Sequence, residues 1–347
     1  MTALDREVPS AAAATPLLSV DGLAVRYQAK RGPRDQREIR AVDGVSFSLG
    51  TGEILALVGE SGCGKTSIVR AIARLEESAG GQVLFRGGNI AHVRGQALRR
   101  LRRDIQVVFQ DPFESLDPRL TAVETVAESL LVHKIGDGRA VQRERVLATL
   151  RLVGLHPAEE IARRYPHQLS GGQRQRLVIA AAMVLEPDLV IADEPVSMLD
   201  VSLRAGILRL MLDLRESRGV SILFVTHDLS LAWVIADRVA VVYLGRIVEI
   251  GPMDEVIRAP LHPYTRALVS VIPVPETGAQ RERILLRGEA PSASRIPGGC
   301  RFHPRCPLYR QLGEPERCRT EDPVLDAATG QTAPNHTAAC HFVKESS

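Results

Sequence analysis

A glycine-rich loop lies between an apolar run, residues 54–58, and a segment with helical spacing, residues 66–75. The loop reads Gly59-Glu60-Ser61-Gly62-Cys63-Gly64-Lys65-Thr66 and matches the pattern G-x-x-x-x-G-K-[ST]. Its glycines let backbone N–H groups converge on phosphate oxygens at the start of a helix. We expect Lys65 to reach the β- and γ-phosphates and the Thr66 hydroxyl to bind Mg²⁺. Because a chance glycine turn lacks the strand and helix on either side, the loop predicts a P-loop α/β core.

Two carboxylates, Asp193 and Glu194, end a second apolar run, residues 189–192. Continuous apolar runs of this kind are typical of strands buried on both faces of a parallel sheet. Because the carboxyl ends of such strands meet at one edge, we expect both carboxylates to face the bound phosphates. Asp193 is the candidate Mg²⁺ ligand and Glu194 the candidate base that activates water. Alone, an Asp-Glu pair after a strand is usually the solvated start of a helix. Together with the glycine loop, the pair instead favours a catalytic role.

His227 and Gln110 follow two further apolar runs, residues 222–225 and 105–109. The His227 imidazole is a candidate to orient water near the γ-phosphate, although an isolated histidine more often makes a structural hydrogen bond. Gln110 stands where helical spacing begins, which places an amide between the α/β core and the helices that follow.

A second anion site is predicted at Leu169-Ser170-Gly171-Gly172-Gln173, which opens a helical segment. The Ser170 side chain and the N–H groups of Gly171 and Gly172 are suited to bind phosphate at a helix N-terminus. One chain seldom needs two γ-phosphate sites for one nucleotide, so the segment predicts that ATP is shared between two such domains. The alternative is an ordinary glycine-rich helix start with a serine cap.

Composition restricts the class of protein. The 347 residues carry a formal charge of +3, which is too small to argue for nucleic acid, and no apolar run approaches the ~20 residues that cross a bilayer. Residues 1–16 are expected to form a disordered lead-in without a secretory signal. Five cysteines without tight pairing favour a reducing compartment over a disulfide framework.

The chain divides into three predicted parts. Short alternating runs at residues 18–25 and 45–49 predict an antiparallel β lobe, with residues 28–40 as an exposed loop. Helical spacing at residues 121–132, 142–153 and 172–185 predicts a helical subdomain, about 111–185, inserted into a nucleotide-binding domain of residues 17–255. Residues 256–347 lose long periodic segments and are expected to form a small C-terminal extension.

Together these motifs resemble the nucleotide-binding subunits of ABC (ATP-binding cassette) transporters over about residues 18–255. The resemblance implies that Tyr27 stacks on adenine, that Ser67 lies beside the loop, and that Gln110 is a further Mg²⁺ ligand. It implies that residues 169–173 are the transporter signature and that Asp200 is the D-loop aspartate. The chain departs from the family's usual alanine at Met198, with little expected consequence because Asp200 remains.

The subfamily follows from three further segments, namely residues 108–119, His262-Pro263-Tyr264 and residues 299–307. They resemble the ATP-binding subunits of dipeptide, oligopeptide and nickel importers and favour the F type of subunit. This resemblance implies an ATPase at the cytoplasmic face of the membrane that pairs with a second ATPase subunit, either a copy or a paralogue. It also implies two permease subunits and an extracytoplasmic binding protein, and no nucleic acid. The alternatives are an importer of nickel or another small solute, and a soluble ATPase of this class that acts on nucleic acid or ribosomes.

Two charged or reactive sets remain. Cys300, Cys306, Cys318 and Cys340 lack the C-x₂-C pairs of ordinary zinc sites. Some members of the resembled subfamily hold an iron–sulfur cluster with tail cysteines, and four thiolates suit a [4Fe-4S] cluster; zinc and four free thiols are the alternatives. The arginine-rich residues 94–103 contain no interleaved aromatic residues, so we expect a solvated helix face there and not a nucleic-acid or lipid site.

Overall fold

A computed structural model describes residues 15–30, 36–272, 283–327 and 335–343. The strands in these residues are β1 (Leu18–Lys30), β2 (Gln36–Leu49), β3 (Ile54–Val58), β4 (Gly80–Phe85), β5 (Gly88–Asn89), β6 (Ile105–Val108), β7 (Leu189–Asp193), β8 (Ser221–Thr226), β9 (Arg238–Tyr243), β10 (Arg246–Pro252), β11 (Asp326–Ala327) and β12 (Thr337–Ala338). The α-helices are α1 (Lys65–Ile72), α2 (Gly95–Asp104), α3 (Pro112–Ser115), α4 (Ala122–His133), α5 (Arg139–Leu152), α6 (Ala158–Ile161), α7 (Gly171–Met183), α8 (Val201–Arg218), α9 (Leu229–Ile235), α10 (Met253–Arg258), α11 (Pro263–Ser270), α12 (Pro307–Gln311) and α13 (Arg317–Thr320). Two 3₁₀ turns, Pro166–Gln168 and His303–Arg305, complete the set.

The central sheet has the order β11-β12-β10-β9-β3-β8-β7-β6. Strands β9, β3, β8, β7 and β6 are parallel. Strand β10 pairs antiparallel with β9, β12 antiparallel with β10, and β11 antiparallel with β12. Every residue of β3, β7 and β8 is buried, which confirms the prediction of parallel strands covered on both faces. Successive side chains of β3 enter different cores: Leu55 and Leu57 pack toward the antiparallel lobe, while Ala56 and Val58 pack toward the helices. The α/β fold class is therefore confirmed.

The antiparallel lobe has the order β2-β1-β4-β5. Residues 28–40 are predicted to be an exposed loop, but residues 28–30 belong to β1 and residues 36–40 to β2, so the prediction is wrong for these. Residues 31–35 lie outside the described part of the chain. Tyr27 pairs with Ile39, and Arg26 forms an ion pair with Glu38 across the strands. This part of the hairpin is polar because it extends past the apolar core, so composition alone does not reveal it.

Helices α3 to α7 lie between β6 and β7, where helical spacing predicts them. Helix α4 begins with a capping box in which Thr121 and Glu124 satisfy each other's backbone N–H groups. Helix α2, the arginine-rich segment, contains no buried residue, so the predicted solvated face is confirmed. Within the described ranges no helix has both the length and the apolar character needed to cross a membrane.

The C-terminal segment extends the central sheet. Strand β12 pairs with β10, and the buried His336 imidazole lies 2.7 Å from the buried Glu249 carboxylate on β10. Phe302 packs edge-on against Tyr243 of β9 with ring centroids 5.2 Å apart. Cys300, Cys306 and Cys318 therefore share one core with Phe302, Tyr309 and the helices that cover the sheet.

Candidate active site

The carboxyl edge of the parallel sheet gathers the predicted catalytic side chains. Val58 is in register with Thr226, and Val108 is in register with Ala192, so the residues that follow each strand emerge at one edge. These residues are the glycine loop after β3, Gln110 after β6, Asp193 and Glu194 at the end of β7, and His227 after β8. The structure thus brings together side chains that lie far apart in the sequence.

The glycine loop is closely packed against the sheet. A Cβ atom at Gly59 would lie 2.2 Å from the carbonyl oxygen of Val242, and one at Gly64 would lie 2.2 Å from that of Ala41. Gly64 also has φ 107° and stands at the N-cap of α1. Only glycine fits these two positions, so the loop lies close against its neighbours and leads directly into the N-terminus of α1, which favours a bound anion.

Lys65 is buried and donates from Nζ to two carbonyl oxygens of its own loop, at 2.7 Å to Gly59 and 3.0 Å to Glu60. The ammonium group is therefore held across the loop, where phosphate oxygens can replace the two carbonyls. Ser67 lies one residue past Thr66 on α1 and hydrogen-bonds to the Tyr27 hydroxyl at 3.0 Å. Tyr27 also bonds to Glu76, so the predicted adenine-stacking residue lies beside the helix that the loop opens.

Thr66 and Asp193, two of the predicted Mg²⁺ ligands, lie near each other, close enough for the Thr66 hydroxyl to act on the Asp193 carboxyl group. Asp193 is only 5% exposed. Burial raises the pKa of its carboxyl group, and the negative charge of Glu194 adds to that rise, while the Thr66 hydroxyl opposes it. A carboxylate whose charge is disfavoured in this way suits a divalent cation, so the donor set fits Mg²⁺ held with a nucleotide phosphate.

Glu194 and His227 form a second pair, with His227 Nδ1 3.2 Å from Glu194 Oε2. Glu194 has φ 49°, in the left-handed region, and its backbone is held there because its N–H donates to Val225 and its carbonyl accepts from Ser197. Strained backbone of this kind concentrates at functional sites. Both side chains line a cavity of ≈ 50 Å³, which has room for a water molecule beside the carboxylate.

The second predicted anion site forms the capped start of α7. Ser170 and Gln173 make a capping box: the Ser170 hydroxyl accepts from the Gln173 N–H, and the Gln173 side chain accepts from the Ser170 N–H. A Cβ atom at Gly172 would meet Leu203 of α8 at 3.4 Å, so the segment packs on the helix that Asp200 caps. Within the described chain, no hydrogen bond joins residues 169–173 to residues 59–66 of the same molecule. Ser170 and Asp200 are exposed.

Gln110 is exposed at the carboxyl end of β6, beside Asp193 in the sheet, and its side chain has no hydrogen bond within the described residues. Its amide is therefore available at the edge where the cation and the attacking water would lie.

Tyr264 and Arg305, which lie far along the chain, also contact the glycine loop. The sequence motifs gave neither residue a role at the ATP site. The Glu60 N–H donates to the Tyr264 hydroxyl at 3.0 Å, and Arg305 Nη1 lies 2.9 Å from a Glu60 carboxylate oxygen. Both residues belong to segments that the sequence analysis uses only to identify the subfamily, namely His262-Pro263-Tyr264 and residues 299–307. Nothing in these segments predicts a contact with the glycine loop.

The four tail cysteines line one cavity of ≈ 20 Å³ together with Phe302 and Tyr309. Burial raises the pKa of the Cys300 thiol to about 12, and it also raises the pKa of Cys306 and Cys318. None of the five cysteines forms a disulfide. Among the residues that the structure describes, no three His, Cys, Asp or Glu side chains stand close enough together to hold a single metal ion.

Comparison with known proteins agrees with this geometry. Residues 42–197 match the family model of the ABC transporter, and residues 248–311 match that of the oligopeptide/dipeptide transporter C-terminal region. The oligopeptide transport ATP-binding protein AppF of Bacillus subtilis (strain 168) is 47% identical over 88% of this chain and 90% of its own length. The glutathione import ATP-binding protein GsiA of Pectobacterium atrosepticum is 50% identical over 82% of this chain and 46% of its own length.

A solved dimeric ATP-binding cassette in a post-hydrolysis state, bound to ADP and Pi, has a TM-score of 0.60 and 28% identity, covering 68% of this chain and 98% of that one. The fold and the site thus define an ATP-hydrolysing cassette that uses ATP and Mg²⁺. More narrowly, the chain belongs to the ABC transporter family, in the subfamily with the oligopeptide/dipeptide transporter C-terminal region.

Proposed function

We propose that the chain is the ATP-driven motor subunit of an importer of dipeptides or oligopeptides. The observation that carries this proposal is the joint presence of a complete catalytic edge and a C-terminal segment of the oligopeptide/dipeptide transporter type. The names of the relatives AppF and GsiA support peptides over nickel or another small solute, and AppF agrees with the F type. They give no support to a soluble ATPase acting on nucleic acid or ribosomes.

In the proposed mechanism each residue at the edge has one task. Lys65 leaves the two loop carbonyls and binds the β- and γ-phosphates, while Thr66 and Asp193, with Gln110, hold Mg²⁺. Glu194 accepts a proton from the attacking water, and His227 holds Glu194 and the water in place. The bound ion would neutralise charge that develops on the phosphate oxygens.

The second ATPase subunit completes the site. Ser170 is exposed at a helix N-terminus, and within the described residues the segment 169–173 makes no hydrogen bond to its own glycine loop. Both features support its binding the γ-phosphate held by a second copy or a paralogue. Asp200 lies on the same exposed face, at the start of the helix against which Gly172 packs. Closure around two ATP molecules and reopening after hydrolysis would then supply the movement.

The helical segment from Asp111 to about Ala162 is the proposed contact with two permease subunits, which take substrate from an extracytoplasmic binding protein. Phe109 and Phe113 are exposed beside Gln110, with Arg174 lying over the Phe113 ring at 4.3 Å. An exposed aromatic pair at the junction with the catalytic edge suits a partner that must sense the nucleotide state. This places the chain at the cytoplasmic face of the membrane.

Reconstitution tests the assigned function. The chain would be placed in proteoliposomes with the permease and binding-protein subunits encoded beside it, and uptake of a radiolabelled oligopeptide would be measured with ATP at the cytoplasmic face. We expect peptide uptake that needs ATP, and no comparable uptake of Ni²⁺. Uptake of Ni²⁺ alone, or recovery of ribosomes without any membrane protein, would overturn the peptide assignment.

Replacement of the proposed base gives a sharper expectation. Glu194→Gln should reduce ATP hydrolysis by about 10²- to 10³-fold while ATP binding is retained, because the amide cannot accept the proton. The variant should also accumulate as a closed dimer with ATP, which size-exclusion chromatography detects. Hydrolysis at the wild-type rate in the reconstituted complex would show that the assigned base is wrong.

We further propose that Cys300, Cys306, Cys318 and Cys340 hold a [4Fe-4S] cluster. The four-thiol donor set around one apolar cavity supports this. Because the cavity has room for about one water molecule, the four side chains would turn outward to admit the cluster. Iron and acid-labile sulfide analysis of anaerobically purified protein tests this proposal. About four iron and four sulfide ions per chain are expected. Absence of both in folded protein would overturn it.

A further inference from the structure

Glu60, the second residue of the glycine loop, is held at three points. Its backbone N–H donates to the Tyr264 hydroxyl at 3.0 Å. Its carboxylate accepts from Arg305 Nη1, at 2.9 and 3.2 Å to the two oxygens. Its carbonyl oxygen accepts from Lys65 Nζ at 3.0 Å. Glu60 therefore connects two residues outside the nucleotide-binding motifs to Lys65, through its backbone for Tyr264 and through its carboxylate for Arg305.

Tyr264 and Arg305 reach the loop from a rigid support. Tyr264 is fully buried on α11 and packs against Tyr243 of the central sheet with ring centroids 4.9 Å apart. Arg305 precedes Cys306, and its side chain is 9% exposed. Its guanidinium group lies 6.0 Å from the Tyr243 ring centre. A donor and an acceptor fixed in this way can orient the loop at Glu60, because their positions are set by the core.

Charge gives Arg305 a second effect. The Glu60 carboxylate lies beside a site built for a triphosphate, and it would repel that ligand if it stood alone. Arg305 neutralises it through a charge-assisted hydrogen bond in a partly buried place, where salt screens little. Loss of Arg305 would therefore expose a negative charge next to the phosphates.

We propose that Tyr264 and Arg305 are positioning residues for the ATP site: through Glu60 they set the phosphate loop and Lys65 to receive the phosphates. This inference goes beyond the import function, since it holds for nucleotide binding by the chain with or without a permease. It gives the C-terminal segment a direct effect on the ATP site.

Isothermal titration of the full-length chain with MgADP, which is not hydrolysed, tests the proposal. Tyr264→Phe and Arg305→Gln should each raise the Kd for MgADP about five- to tenfold, and Arg305→Lys should recover most of the loss. Glu60→Gln combined with Arg305→Gln should bind MgADP more tightly than Arg305→Gln alone, because the exposed charge is gone. A purely structural defect predicts no such recovery.

The controls are matched residues of the same segment. Tyr309→Phe alters a tyrosine whose ring contacts His303 within the tail, and Arg317→Gln breaks an exposed ion pair with Glu321. Both should leave the Kd within about twofold of wild type. The proposal is overturned if Tyr264→Phe and Arg305→Gln bind MgADP as wild type does, or if they weaken it only in proportion to a fall in Tm shared by the controls.

Discussion

At the scale of single residues, Asp193 shows how function opposes stability. Burial raises the pKa of its carboxyl group above the ordinary value for aspartate, and the Glu194 charge raises it further. The folded chain therefore binds the proton more tightly than the unfolded chain does. This tighter proton binding stabilises the folded chain below about pH 4, and the stabilisation is lost as the pH rises through the raised pKa. At neutral pH the ionised carboxylate therefore destabilises the fold.

Asp193→Asn removes that cost together with the Mg²⁺ ligand. We expect the Tm of the nucleotide-free chain to rise by about 1–3 °C at pH 7, with a smaller difference at pH 4, because the wild-type carboxylate regains its proton there. Mg²⁺-dependent ATP hydrolysis should fall at least about a hundredfold. Calorimetry at both pH values and a phosphate-release assay measure the two effects. A lower Tm at pH 7 would contradict the buried-charge argument.

Residue motifs predicted the catalytic edge because each motif is continuous in sequence and sits at the end of a buried strand. Lys65, Asp193 and Glu194 could be placed in this way, since parallel strands expose their carboxyl ends together. The contacts of Tyr264 and Arg305 with Glu60 could not, because they join residues separated by 204 and 245 positions through tertiary packing. No periodicity or local spacing carries that information.

At the scale of elements, apolar spacing predicted the strands β3, β7 and β8 and the helices α4, α5 and α7, whereas β9 and β10 were not assigned from it. The polar end of the β1–β2 hairpin does not follow from apolar spacing either, because it pairs across the strands without a buried face. Helix α7 illustrates the reliable case, with Ser170 and Gln173 at the spacing of a capping box. The same cap is exposed where a neighbouring ATP is proposed to bind, so its structural and functional roles can be separated.

Two substitutions at Ser170 separate them. Ser170→Ala should cost about 1 kcal/mol of unfolding free energy, because the Gln173 N–H loses its acceptor. Ser170→Asp keeps an N-cap acceptor and should retain the wild-type Tm, yet its carboxylate should repel the partner's triphosphate and abolish ATP-dependent dimerisation. Urea unfolding and size-exclusion chromatography with ATP provide the two measurements. A Ser170→Asp variant that dimerises normally would show that the second anion site binds no phosphate.

At the scale of the whole molecule, the C-terminal segment is joined to the cassette by three kinds of contact. Strand β12 adds to β10, Phe302 enters the aromatic cluster of the sheet, and Arg301 bonds to Asp43 of the antiparallel lobe and to the Leu244 carbonyl. Sequence analysis placed an extension here because long periodic segments end. It could not place these contacts, since two-residue strands and single arginines leave no pattern in composition.

The buried pair of His336 and Glu249 tests whether segment and cassette unfold together. Glu249 also accepts backbone N–H groups from Leu261 and His262, so its carboxylate is fully enclosed. His336→Ala should cost about 3 kcal/mol, because it leaves the buried carboxylate without its imidazole partner. Trp233, the single tryptophan, lies on α9 of the cassette and reports on unfolding of that part. Its fluorescence in urea should therefore show one transition at a lower midpoint in His336→Ala.

The matched control is His341→Ala, at a partly exposed histidine that bonds to the Glu321 carbonyl, and it should shift the free energy by less than about 0.5 kcal/mol. If His336→Ala left the Trp233 transition unchanged while the C-terminal segment became sensitive to protease, the two parts would be energetically independent. A common transition would instead mean that the contacts of Tyr264 and Arg305 with the phosphate loop rest on the same cooperative unit as the ATP site. In that case a substitution that destabilises the C-terminal segment should lower the urea midpoints of nucleotide binding and of Trp233 fluorescence by the same amount.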